Sequence, residues 1–414
     1  MILSDPLSLP CGRVLPNRVM KAALSEVLGD LGQSPDQRIL RLYRRWSEGG
    51  FGLLLTGNVM IDRAQLGEPG NIVIDDERDL ATLTRWAETA HAGGSPIWMQ
   101  LCHPGRQANP VVNRQAPVAP SAIAADIPGF RVPTALTERD IHDIIDRFAT
   151  TARIAEKAGF DGVQIHAAHG YLVSQFLSPL ANHRDDDWGG DPARRARFLL
   201  EIVRRVRATV GPQFAVSVKL NSADFQRGGF TEDESSDVVA RLAIERIDLL
   251  EISGGSFESL AMMGRPTDRL GSPQQREAYF LEYAHTVRAN AGAIPLAVTG
   301  GFRSRAAMVA ALETGDCDII GLGRPVCLLP DAGRALLAGE EQLPSARVSR
   351  VRTGPISRSR TVRSLAGAVD LQWHTDQLHR MAAGAEPAPQ RSRWRTAYSM
   401  VQRNGVDAFR RKRG

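Results

Sequence analysis

GVQIHAAHGYL, residues 162–172, is the stretch around which the rest of the chain is read. Gly162 to His166 is a short apolar run of the length expected for a buried strand. It stops on His166, and His169, Gly170 and Tyr171 follow at once. Two histidines three apart can be metal ligands, a clamp on a carbonyl oxygen, or plain structural side chains. A zinc site needs a third ligand, usually on a helix or fixed turn, and no strong carboxylate or cysteine partner stands out here. A clamp needs imidazole donors converging on one oxygen with an acid beside them. Tyr171 is such an acid, because a phenol titrates near about 10 and stays protonated at neutral pH.

Working outward, the same kind of run recurs along the chain. Residues 18–25, 52–61, 96–101, 162–166, 215–220, 248–253, 295–300 and 318–323 read as nearly continuous hydrophobic segments, as strands covered on both faces do. Helical patterns lie between them. Ile141, Ile144, Ile145 and Phe148 share one helical face. Asp191-Pro192 reads as a cap followed by proline, and Thr231 with Glu234 and Ser272-Pro273 give similar starts. Eight strand–helix units predict an α/β fold of the (β/α)8 TIM-barrel type. A doubly wound open sheet is the competitor, but no GxGxxG follows the first run.

The bulk composition narrows the function classes. The chain has 414 residues, 43% hydrophobic and 23% charged, enough for a large core. It lacks an apolar run long enough to span a bilayer, and MILSDPLSLP does not read as a signal peptide. Cys11, Cys102, Cys317 and Cys327 form no CxxC pair, which argues against disulfides or an iron–sulfur site and fits a reducing cytoplasm.

The net charge of +5 is uneven: residues 345–414 hold 15 Lys/Arg and 4 Asp/Glu, so they carry +11 and the rest −6. The expected division is therefore a barrel over residues 1–344 and a basic, partly helical extension over 345–414. No nucleic-acid partner is expected. Helical patches lie near 361–383 and 393–411. The extension reads as a surface appendage or dimer arm, with a basic amphipathic helix on an anionic membrane as the sharper alternative. A homo-oligomer, by default a symmetric dimer, is expected.

Long connections follow the third, fourth and sixth runs, at 102–136, 167–190 and 254–273, on the side where such barrels build active sites. Those at 104–135 and 256–272 are expected to shape the pocket. Polar residues gather where the runs end: Ser25, Asn58, Gln100, His166 and Lys219. Gly300-Gly301 follow the seventh run and Gly323-Arg324 the eighth, matching the usual phosphate grip of the fold. There glycines admit backbone N–H groups, and Arg324 pairs with phosphate oxygens. The plainer reading is tight βα turns. Lys219 is an inward cation inside a strand, either paired with a carboxylate such as Glu251 or facing an electron-rich cofactor ring. Gln100 suits a heterocycle edge, or a hydrogen bond into loop backbone.

FDGVQIHAAHGYLVSQFLSPLANHRDDDWGGDPARRARFLLEIV, residues 160–203, strongly resembles the signature segment of the old yellow enzyme family of flavin-dependent ene-reductases. The likeness extends to LPNRVMKAALS (15–25), MQLCHPGRQANP (99–110) and the TGG and GLGR segments, over roughly residues 1–340. It implies an FMN-bound (β/α)8 barrel that reduces activated C=C bonds of enones and enals with NADH or NADPH. It further implies that the backbone around Ala23 and Leu24, with Gln100 and Lys219, meets the flavin ring, and that Gly301, Gly323 and Arg324 grip its phosphate. His166 and His169 would hold the substrate's carbonyl oxygen, and Tyr171 would donate the proton. No metal is implied. Ser25 stands where relatives often carry Cys or Thr, and the cysteine cluster and extra nucleotide-binding domain of larger relatives are not seen. Rival expectations are an oxidative flavin barrel such as an amine demethylase, and a cofactor-free phosphosugar barrel with Lys219 as Schiff-base lysine.

Overall fold

The computed structural model of the protein describes residues 2–126, 129–253, 273–344 and 360–402. Eight parallel strands close into a barrel: β1 (Val19–Lys21), β2 (Leu53–Met60), β3 (Ile97–Cys102), β4 (Gly162–Ala167), β5 (Ala215–Asn221), β6 (Leu249–Ser253), β7 (Leu296–Thr299) and β8 (Ile319–Leu322). Each strand falls within or beside one of the runs read from the sequence. The open-sheet alternative is excluded, because β8 pairs with β1 and closes the cylinder.

Successive side chains point to opposite faces of a strand, so each run serves two environments. One set, including Met99, Ile165, Val218, Leu250, Val298 and Ile320, packs outward against the surrounding helices. The alternate set fills the barrel in layers. Met20, Leu53, Trp98, Leu249 and Ile319 form an apolar layer at the N-terminal end, sealed by a short hairpin of Leu7–Ser8 and Val14–Leu15. One step further along the strands the inward residues become polar, beginning with Gln100, Gln164, Lys219 and Glu251. The fold therefore supplies an oily floor and a chemically active mouth.

The helices between strands are α1 (Gln37–Ser47), α2 (Leu80–Ala92), α3 (Glu138–Lys157), α4 (Pro192–Thr209), α5 (Glu232–Ile244), α6 (Pro273–Ala291) and α7 (Arg305–Glu313). Their starts use local chemistry. Thr137 with Asp140 and Thr231 with Glu234 form capping boxes, and Asp191 accepts from Ala193 and Arg194 N–H ahead of α4. Ser272 and the 254–272 connection lie outside the described residues. The same holds for the ends of the extension, 345–359 and 403–414.

Two features were not visible in the runs. The register of β2 against β3 shifts between Leu55 and Asn58. In that bulge the Gln100 N–H donates to Thr56 Oγ1 at 2.9 Å and the Gly57 N–H to Glu26 Oε1 at 3.0 Å. A Cβ at Gly57 would collide with the Leu24 carbonyl and the Glu26 carboxylate, so glycine is required. The bulge places Asn58 opposite Gln100 at the mouth. In addition, β1 ends at Lys21, so Ser25 does not end a strand as the sequence suggested. The backbone turns away after the Ala22 N–H bonds to Leu322 O, leaving Ala23, Leu24 and Ser25 as a loop along the rim.

The described part of the extension is α8 (Arg360–Ala382) and α9 (Arg393–Val401). α8 packs against α1, with Leu378, Met381 and Ala382 joining the main apolar core. No helix among the described residues is long and apolar enough to cross a membrane.

Candidate active site

The C-terminal ends of the strands surround an open cavity of about 270 Å³. Every site residue named from the sequence lines it: Ala23, Leu24, Ser25, Asn58, Gln100, His166, His169, Tyr171, Lys219, Gly300, Gly301, Gly323 and Arg324. Residues from seven different strand ends thus meet in one place, which only barrel closure achieves.

Above the apolar layer, the base of the cavity is a chain of buried polar side chains crossing four strands. Gln100 Nε2 donates to Gln164 Oε1 at 2.7 Å, and Gln164 Nε2 donates to Glu251 Oε2 at 2.9 Å. Glu251 Oε1 lies 2.9 Å from Lys219 Nζ. Lys219 pairs with Glu251, as one of its two readings expected, and it also lines the cavity. Gln100 bonds to a side chain rather than to loop backbone. Each buried amide is oriented by its neighbour, so the base presents a fixed pattern of donors and acceptors.

The opening histidines occupy one wall. His166 ends β4, and its Nδ1 accepts the Ala168 N–H at 3.3 Å, which leaves the ring proton on Nε2. His169 sits in the left-handed region at φ 63°, a conformation that non-glycine residues hold only when their surroundings impose it. Here they do: its N–H donates to Asn221 Oδ1 at 3.2 Å, its carbonyl accepts from Gln107 Nε2 at 3.1 Å, and Nε2 lies 2.8 Å from Ser253 Oγ. The two imidazoles stand 5.1 Å apart, centre to centre, and the Tyr171 ring lies 4.8 Å from that of His166.

Burial sets the protonation of this wall. It pushes His166 well below the usual histidine value, with His169 and then Lys219 adding to the effect. Burial and then Lys219 do the same to His169. Burial pushes the Tyr171 phenol well up, assisted by Cys102 and Glu68, while a side-chain hydrogen bond with Asn58 opposes the rise. At neutral pH the wall therefore holds two neutral imidazoles and one protonated phenol. Neutral imidazoles can donate hydrogen bonds to an oxygen, and the phenol is the proton source.

The opposite side is built from the ends of β7 and β8. Gly301 adopts φ 85°, a left-handed turn that suits glycine. Arg303 and Arg324 line the cavity beside Gly323. Thr299 Oγ1 is buried there with no hydrogen-bond partner among the described residues.

Residues 4–339 match the NADH:flavin oxidoreductase / NADH oxidase family. The chain belongs to that family. It is 36% identical to the NADH-dependent flavin oxidoreductase iliE of Neonectria sp. over 352 residues, covering 78% of this chain and 45% of that protein. Against iliE of Hypocrea jecorina it is 36% identical over 362 residues, covering 82% and 89%. Among solved structures, the old yellow enzyme homologue from Zymomonas mobilis matches with a TM-score of 0.71 and 25% identity, covering 88% of this chain and 99% of that one. Morphinone reductase in complex with tetrahydroNAD matches with a TM-score of 0.67 and 27% identity, covering 84% and 93%.

As a member of the NADH:flavin oxidoreductase family, the protein is a flavin enzyme with FMN as cofactor and NADH as reductant. That sets aside the cofactor-free phosphosugar barrel. The cavity fits FMN at both ends. The Thr299 hydroxyl, without a hydrogen-bond partner among the described residues, the Gly301 turn and the two guanidiniums suit a phosphate, and the ordered amide chain with Lys219 suits a ring rich in hydrogen-bonding atoms.

Several lining residues were not singled out from the sequence. Ser253 and Thr299 end their strands and obey the same strand-end signal that marked Asn58 and His166. Gln164 lies beneath the cavity rather than lining it, one inward step below His166, and was hidden inside an apolar run. Glu68 hangs from the β2–α2 connection, where the Ser25 hydroxyl meets it; nothing local marks it. Leu371 comes from α8, almost fifty residues beyond the last barrel strand.

Proposed function

We propose that the enzyme reduces the activated C=C bond of α,β-unsaturated carbonyl compounds. The observation that carries this reading is the wall of His166, His169 and Tyr171: two neutral donors and a protonated phenol around one space. FMN, when bound, supplies hydride transfer from NADH to an electron-poor carbon.

The protein's part is polarisation and proton delivery. His166 Nε2–H is one donor. The His169 tautomer that takes the Ser253 hydroxyl at Nε2 carries its proton on Nδ1, and is the other. Both converge on the carbonyl oxygen and stabilise the enolate-like charge that develops there, by on the order of a few kcal/mol. Tyr171 Oη–H gives its proton to Cα, and Asn58 stabilises the resulting phenolate through its hydrogen bond. Ala23, Leu24, Ser25, Asn58, Gln100 and Lys219 are assigned to the ring side, and Gly300, Gly301, Gly323 and Arg324 to the phosphate. The working division remains a barrel of residues 1–344 with an extension of 345–414, in a homo-oligomer acting on a small-molecule enone or enal.

The test is an anaerobic absorbance measurement on purified protein. A flavin band that bleaches with NADH and returns with an enone supports the reading. A band that returns only with oxygen, together with turnover of amines, would assign the enzyme to oxidative chemistry instead.

A further inference from the structure

We infer that helix α8 of the C-terminal extension is a wall of the cofactor pocket and holds FMN in place. This rests on FMN occupying the cavity at the barrel mouth. The sequence suggests an appendage, a dimer arm or a membrane-surface helix for this region. The packing spends α8 on the barrel.

Two contacts carry the inference, one lining the cavity and one on the backbone that follows its rim loop. Leu371 lines the cavity, as do Arg303, Gly323 and Arg324. It is 37% exposed, whereas the next seven residues of α8, 372–378, are all buried. A large apolar side chain left open beside a run of buried neighbours, and lining a cavity, is placed to cover a ligand. Two turns further on, His379 Nε2 lies 3.0 Å from the carbonyl oxygen of Glu26. Glu26 directly follows the rim loop of Ala23, Leu24 and Ser25. Its carboxylate accepts Tyr43 Oη at 2.6 Å, the Gly57 N–H at 3.0 Å and Lys21 Nζ at 3.2 Å. One helix thus lines the cavity and braces the backbone that follows its rim loop. Eight residues of α-helix rise about 12 Å, the separation of the two contacts along its axis.

α8 is itself held firmly. Arg41 Nε donates to Ala382 O at 2.8 Å, and Arg45 pairs with Glu386 at 2.7 Å, so α1 grips its C-terminal end. Trp373 Nε1 donates to Arg391 O at 3.0 Å on its outer side. Between the two cavity contacts, His374 is buried and pushed down to about 4, first by burial and further by Arg324 and Arg303. α8 therefore places a buried, uncharged imidazole near the two guanidiniums.

The experiment uses full-length holoenzyme. FMN released on serial dilution is read by flavin fluorescence for the wild type, Leu371→Glu and His379→Ala, with circular dichroism to confirm folding. Leu371→Glu adds an anion that competes with phosphate for the guanidiniums, and is expected to raise the FMN dissociation constant at least about tenfold. Leu371 is already partly exposed, so this variant keeps its fold. His379→Ala loosens the Glu26 loop and raises the constant in the same direction. Dissociation constants within about twofold of wild type for both variants would overturn the inference alone. A wild type that retains no FMN would overturn it together with the cofactor reading.

Discussion

Lowering the pH should unfold this protein through its two site histidines. Burial holds His166 and His169 uncharged in the fold, each well below the ordinary value. In the unfolded chain each titrates at about 6.5. Above that pH neither state binds these protons, and the pair adds nothing to the pH dependence. Below it the unfolded chain gains protons that the folded chain refuses, so stability falls as pH falls, until the depressed folded values are reached. Each histidine contributes a slope approaching about 1.4 kcal/mol per pH unit. One unit below the unfolded value, the two together cost about 3 kcal/mol.

The measurement is urea unfolding at about pH 7.5 and about pH 5.5, with FMN saturating, for wild type and His166→Asn/His169→Asn. The difference between the two proteins isolates the pair. His374, also depressed, and His91, which its hydrogen bond with Asp161 raises so that it acts in the opposite sense, are present in both. The double variant should lose about 3 kcal/mol less than wild type between the two pH values. An equal loss would mean that the site imidazoles accept protons near their ordinary value. They would then be acids themselves, and Tyr171 would have no distinct role.

Other tests address single side chains. Tyr171→Phe should slow alkene reduction by about 10²- to 10⁴-fold and leave the bleaching of the flavin band by NADH largely unchanged, as stopped-flow absorbance would show. Asn58→Leu removes the hydrogen bond that favours the Tyr171 phenolate, and should slow the same half-reaction by about tenfold. Glu251→Ala leaves Lys219 buried without its 2.9 Å counter-ion and breaks the amide chain to Gln164. A loss of about 3–5 kcal/mol in urea unfolding is expected, and a loss below about 1 would show that water or relaxation compensates.

Much of this protein could be read from one dimension. Buried parallel strands need apolar side chains on both faces, so β1 to β8 appear as runs. Helix starts such as Thr231 with Glu234 are local hydrogen-bond chemistry, visible within four residues. The His166, His169 and Tyr171 group sits within six residues of one strand end, and strand-end position marked Asn58, Gln100, Lys219 and the two phosphate-side turns. Tertiary structure decided what depends on contacts between distant segments. Protonation is one case: neutral imidazoles follow from burial by distant segments, which no local pattern measures. The Gln100–Gln164–Glu251–Lys219 chain is another, because it needs four strands in register. Glu68 and Leu371 reach the cavity from a connection and from a helix far along the chain, so only packing reveals them. The extension shows the division most clearly. Its excess of positive charge is a property of composition, but its place against α1 and the cavity depends on buried surface contributed by both partners, and that exists only in the folded chain.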